Sequence, residues 1–234
     1  VRWGLAACII FLFFSIGCDK AKSILPEKPS KVRKRNTGAL IPIDFKDAIY
    51  QDVAMFAKDT ITDDGWRIKY LVKDDSTRYT NIYIQWKKGN INRVTNCGNV
   101  LEMRRYFIPG FVKDNQDYLF FEYGCSTDCR AVLILPKNDK DTVEAFNFVL
   151  DYKVSDNQIV CIDEESFSSD TLSINATDLK KHITKSTLFK NRCSMTMGSS
   201  CIDTIIFKHN RILVEGKLTD RYGNDVKEVR SIKF

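Results

Sequence analysis

From Trp66 onward the apolar residues of this chain recur at every second position, in short runs divided by polar turns. Trp66, Ile68, Tyr70 and Val72 share one side of an extended chain, as do Ile82, Ile84 and Trp86 ahead of the turn Lys87-Lys88-Gly89-Asn90. A period of two puts alternate side chains on one face of a strand. Further runs follow at Tyr106–Val112, Tyr118–Tyr123, Ala131–Leu135, Phe146–Tyr152, Gln158–Ile162, Thr171–Ile174, Thr204–Lys208, Ile212–Leu218 and Val226–Phe234. Turn formers such as Lys113-Asp114-Asn115, Ser155-Asp156-Asn157, His209-Asn210 and Tyr222-Gly223-Asn224-Asp225 separate them. Strands joined so closely pair as hairpins, not as βαβ units, so the sheet should be antiparallel. One helical pattern precedes them: Phe45, Ile49, Val53 and Phe56 recur at three- and four-residue steps over Phe45–Lys58, with Asp44 as its cap.

The expected fold is therefore mainly β, an antiparallel β-sandwich or barrel with one N-terminal helix. A small irregular β-propeller is the alternative. An aromatic strand followed by a polar turn returns near Trp66, Tyr118, Phe146 and Ile206, a spacing of about 35–45 residues that a propeller blade would have, although the copies share no residue signature.

Charge divides the chain unevenly. The formal net charge is +6, of which Arg2 supplies one unit. Residues 19–36 hold seven basic side chains against Asp19 and Glu27, or +5, so residues 37–234 sum to zero. A neutral domain has no overall attraction for phosphate, which argues against nucleic acid as a partner. The basic stretch itself is rich in Lys, Arg, Ser and Pro and cannot bury enough surface to offset its ordering entropy. It reads as a flexible tether, whose Lys31–Arg35 segment is also suited to touch anionic headgroups.

Ahead of the tether, Arg2 precedes the apolar run Leu5–Phe14, ten residues long and too short for a bilayer that needs about 20 helical residues. Such a run is the core of a signal peptide over residues 1–17. The following Ser15-Ile16-Gly17-Cys18 resembles the bacterial lipobox, in which small residues precede a Cys that receives diacylglycerol before cleavage; Ser at the third position before the Cys departs from the more usual Leu. The resemblance implies lipid attachment at Cys18 and a chain anchored to a bacterial membrane in the cell envelope, periplasmic or surface-facing. Residues 18–36 are then a lipid-anchored tether and residues 37–234 a single disulfide-stabilised β domain. The stretch Tyr118–Pro136 further resembles a segment of uncharacterised envelope lipoproteins of the Bacteroidetes, a likeness that brings no activity with it.

Outside Cys8 and Cys18 six cysteines remain, an even number that in an exported domain implies oxidised pairs. Cys125 and Cys129 flank Ser126-Thr127-Asp128 between two strands, and that turn would bring their Cα atoms within the roughly 4.4–6.8 Å a disulfide needs. Cys193 and Cys201 flank a Met/Gly/Ser loop, which leaves Cys97 with Cys161. Zinc is a poorer fit, since the spacings are C-x3-C and C-x7-C with no His nearby, and no metal or other cofactor is expected. A reactive thiol would want a basic neighbour, and Arg130 adjoins Cys129.

The residues supply no recognisable catalytic set. His182 and His209 both fall among polar neighbours, where solvent exposure is the expectation. G-x-S-x-G, H-E-x-x-H, P-loop and dinucleotide glycine patterns are all missing from the sequence. The carboxylates of Asp163-Glu164-Glu165 and Asp63-Asp64 lack the spaced oxygens of a calcium loop and read as turn charge. Thr60, Ser76, Thr142, Thr171 and Thr204 each follow Asp and precede Thr or an apolar residue, which resembles the periplasmic O-glycosylation sites of Bacteroidetes; plain strand entry explains the same pattern. The expected function is a non-catalytic envelope module that binds a protein or glycan partner. A structural subunit of an envelope complex and a carboxylate-dependent hydrolase of envelope polymers are the alternatives.

Overall fold

A computed structural model describes residues 38–47, 50, 57–74, 81–99, 107–168, 171–193 and 198–234. These are mainly β and form antiparallel sheets. The first sheet contains β1 (Leu40–Pro42), β2 (Thr60–Ile61), β3 (Arg67–Lys73), β4 (Asn81–Lys88) and β5 (Ile91–Asn99), with β3, β4 and β5 meandering in order and β1 and β2 both paired to β3. The second is the meander β6 (Gly110–Asp114), β7 (Tyr118–Ser126), β8 (Cys129–Pro136) and β9 (Glu144–Phe146). The third runs through β10 (Val149–Lys153), β11 (Gln158–Ile162), β12 (Thr171–Asp178) and β13 (Ile183–Arg192), and continues into β14 (Ile202–Lys208), β15 (Arg211–Thr219) and β16 (Asp225–Lys233).

Sequence pattern decides which sheet lies in the middle. In β4 buried Ile82, Ile84 and Trp86 alternate with more exposed positions, the signature of one covered face. β7 and β8 do not alternate: Tyr118 to Phe121 and Ala131 to Pro136 are all buried. A strand apolar at consecutive positions must be covered on both faces. Leu119, Phe121, Leu133 and Leu135 pack with Trp66, Ile68, Ile82, Ile84 and Trp86 of the first sheet. The opposite face, with Phe120, Val132 and Ile134, packs on Val149, Ile159 and Leu179 of the third. Packing of sheet on sheet meets the sandwich expectation, and the barrel reading has its counterpart in a nearly closed barrel-like sheet.

The third sheet encloses a core of its own. Val160, Ile174 and Phe189 from its first half meet Ile212, Val214, Leu218 and Ile232 from its second. Gly216 lies opposite Ile202 of β14, where a Cβ would come within 2.9 Å of the Cys201 carbonyl oxygen, too close for any side chain, while the Phe189 ring of the first half would meet it at an ordinary 3.5 Å. Where the halves meet along the backbone, β13 pairs with β15 through one residue couple, Arg192 with Thr219. This seam positions the site described below.

Several sequence expectations change. The run Phe146–Tyr152 is broken into β9 and β10, which belong to different sheets, with Phe148 between them at φ 51°. Left-handed backbone at a bulky residue ends one strand and redirects the chain. β5 and β13 are strands that periodicity did not reveal, and β13 is exposed at most positions. The four copies of the loose repeat hold different places: Trp66 precedes β3, Tyr118 opens β7, Phe146 closes β9 and Ile206 lies within β14. The repeat therefore marks no common structural unit. Most of the helix expected over Phe45–Lys58 lies outside the described residues, as does Tyr106; at its start the Lys46 amide donates to the Asp44 carboxylate at 3.0 Å, as a cap would require.

Candidate functional site

A cleft of about 550 Å³ opens at the seam, lined by residues 190–192 at the end of β13, Thr219 at the end of β15 and residues 220–222 in the β15–β16 turn. Its position follows from strand pairing: a register shift interrupts the β12–β13 ladder between Leu188 and Arg192, and at Arg192 β13 pairs with Thr171 of β12 and with Thr219 of β15. Backbone amides left over at such a place need other acceptors. Glu228 of β16 supplies them, taking hydrogen bonds from the Lys190 amide at 2.9 Å, the Asn191 amide at 3.2 Å and the Asn191 side-chain amide at 2.9 Å. Arg230 completes the arrangement by pairing with Glu228 while lying over the Phe189 ring. Burial disfavours the Glu228 carboxylate, but these donors outweigh it and keep its pKa below the ordinary range.

The cleft is electropositive. Lys190, Arg192 and Arg221 line it, and among the described residues no carboxylate lies within ion-pair distance of any of them. The one carboxylate in the lining, Asp220, is engaged by its own turn: it accepts from the Asn224 amide at 2.9 Å, the Tyr222 amide at 2.8 Å and the Asn224 side chain at 3.2 Å. Those hydrogen bonds, the Asn224 amide foremost, hold its pKa below the usual carboxylate range. Beside it Tyr222 stands 72% exposed, with the Arg221 guanidinium over its ring at 4.6 Å and bonded to its hydroxyl. An exposed aromatic ring beside guanidinium groups that meet no carboxylate among the described residues has the chemistry to hold an anionic or ring-bearing ligand, whereas one turn-bound carboxylate does not make an acid/base pair.

Other polar clusters bind the sheets together. Lys137 is buried and its ammonium sits between Asp64 at 2.8 Å and Asp114 at 2.6 Å, linking the β2–β3 turn to the second sheet. Burial opposes ionisation of Asp64, yet the hydrogen bonds from Lys137 and Thr62 and the charges of Lys137 and Lys88 prevail and hold its pKa far below normal. At the opposite face Tyr152 donates to Glu122 at 2.7 Å, with Arg130 over the tyrosine ring. Tyr118 donates to the Leu179 carbonyl at 3.2 Å; burial, then the negative charges of Asp141, Asp117, Glu144 and Asp178, push its pKa up to about 12.

The cysteines divide. Cys125–Cys129 and Cys193–Cys201 are disulfides with Cα separations of 5.1 and 5.8 Å. The link expected between Cys97 and Cys161 is absent, because both are free thiols. Cys97 packs in the core between the first and second sheets and Cys161 in the core between the second and third, so the central sheet separates them. Burial pushes their pKa values up to about 12 and about 11. Arg130, the candidate activator of Cys129, turns instead to the Val149 and Leu150 carbonyls.

The remaining sequence candidates do not converge. His182 is exposed in the turn after β12, 3.9 Å from Glu144, and His209 is exposed in the turn before β15. Glu164 accepts from Asn147 at 3.0 Å, and Asp163 accepts from the Glu165 amide at 3.3 Å. Thr142, Thr171 and Thr204 are exposed, Thr60 is half-buried with its hydroxyl donating to the Lys58 carbonyl, and Ser76 lies outside the described residues, as does Cys18. Among the described residues no group of three His, Cys, Asp or Glu is placed to hold a metal, and no helix is long and apolar enough to cross a membrane. Sequence reasoning missed Lys190, Arg192, Arg221 and Tyr222, which become neighbours only through the seam. No protein-family model, curated protein or solved structure matches the chain.

Proposed function

We propose that this protein is a lipid-anchored module of the bacterial cell envelope, fixed to a membrane through Cys18, whose β domain binds a protein or glycan partner without catalysing a reaction on it. The observation that carries the binding reading is the cleft at the seam, where three cations without carboxylate partners among the described residues and an exposed Tyr222 share one opening. The lipobox at Ser15–Cys18 and the basic tether carry the address. Binding residues held in turns on a rigid β scaffold are an ordinary arrangement for such a module.

Capture from native envelopes tests it. The soluble Cys18→Ala form should retain a partner that an Arg192→Ala/Tyr222→Ala double variant of equal stability does not. Equal recovery by both forms, or recovery of nothing, contradicts the proposal.

A further inference from the structure

We infer that the cleft takes an acidic saccharide, one whose rings carry carboxylate or sulfate groups. This rests on the binding reading above and narrows it to a ligand class. Two features of the cleft have to be met by the same ligand, and they ask for different chemistry.

The first is charge. Residues 37–234 carry no net charge, yet Lys190, Arg192 and Arg221 gather at one opening whose lone carboxylate, Asp220, already accepts three hydrogen bonds. Cations that meet no carboxylate among the described residues, in an otherwise balanced domain, suit an anion from outside. Two of them are guanidinium groups, whose planar forks match carboxylate and sulfate oxygens in pairs. The second is shape. Tyr222 is 72% exposed at the rim, with Arg221 over one face of its ring, and the volume of about 550 Å³ lies within the roughly 300–1,000 Å³ of sites that enclose small ligands. An isolated anion would leave both the ring and most of that space unused. A pyranose ring offers a flat apolar face to stack on the face of Tyr222 that Arg221 does not cover and an edge whose acid groups reach the Arg221 guanidinium beside it, so an acidic saccharide uses both at once. An acidic peptide would satisfy the cations but has no rigid ring for Tyr222.

The test is calorimetric titration of the soluble Cys18→Ala protein with four probes of matched length: an oligogalacturonate, a sulfated galactan oligosaccharide, a neutral galactan oligosaccharide and a polyglutamate. Binding of at least one acidic oligosaccharide is expected, the carboxylated or sulfated arm identifying the acid group, with affinity falling as salt rises. Arg192→Ala and Arg221→Ala should each weaken it about tenfold, the loss of one charge-assisted contact. Tyr222→Ala should weaken the saccharide about fivefold while leaving polyglutamate unaffected. The inference is overturned if neither acidic oligosaccharide binds, if the neutral one binds equally, or if polyglutamate binds as well and Tyr222→Ala changes nothing. Should envelope capture depend on the cleft while every saccharide fails, the binding module stands and its glycan ligand does not.

Discussion

Lys137 shows how a single side chain sets the character of a region. A buried ammonium is unfavourable unless its charge is met, and here Asp64 and Asp114 meet it from two different sheets. Replacing it, as in Lys137→Met, strands two carboxylates against each other and should cost about 2–4 kcal/mol in urea unfolding, discounted from the fully buried case because Asp64 remains partly exposed. The pH dependence has a definite sign. The Asp64 pKa is depressed in the folded state, so its contribution is complete above the ordinary carboxyl range and is lost as pH falls below about 4. Asp64→Asn should therefore flatten the acid limb of the stability profile and leave the neutral region lower than in the parent protein. Neither partner was legible in the sequence beyond turn charge, because Asp64 and Lys137 are far apart in the chain and meet only when the first two sheets stack.

At the scale of elements, visibility in the sequence followed burial. β3, β4, β11 and β15 were readable because one face is covered, or in β11 all of it, and apolar residues record that. β13 escaped because most of its side chains face solvent, so Ile183 to Arg192 carries no alternation, and β5 presents a polar sequence of the same kind. Both owe their strand form to pairing with a neighbour. The cleft was hidden for the same reason: it stands at the end of β13. Glu228 holds that end, and Glu228→Ala removes the acceptor of the Lys190 and Asn191 amides. Hydrogen exchange at those two amides should quicken, with an expected loss of about 1.5–3 kcal/mol in stability for hydrogen bonds to a charged acceptor. Unchanged exchange would show that the seam is held by the Arg192–Thr219 couple instead.

For the whole molecule, the local disulfides were predictable from turns, whereas the long-range pair was not. Elimination joined Cys97 to Cys161, but a sheet buried on both faces stands between the two cores that hold them. We propose delivery across a membrane into an oxidising space, where four cysteines of the domain pair while Cys161 is buried and Cys97 partly buried. Intact mass measurement of the protein purified from its native membrane, with thiol alkylation before and after denaturation, tests this most directly. The mature chain should begin at acylated Cys18, hold two disulfides and two free thiols, and yield Cys161 to alkylation only once unfolded, with Cys97 reacting fully only then. A chain that keeps its first seventeen residues, bears no acyl mass and offers six reactive thiols would contradict it.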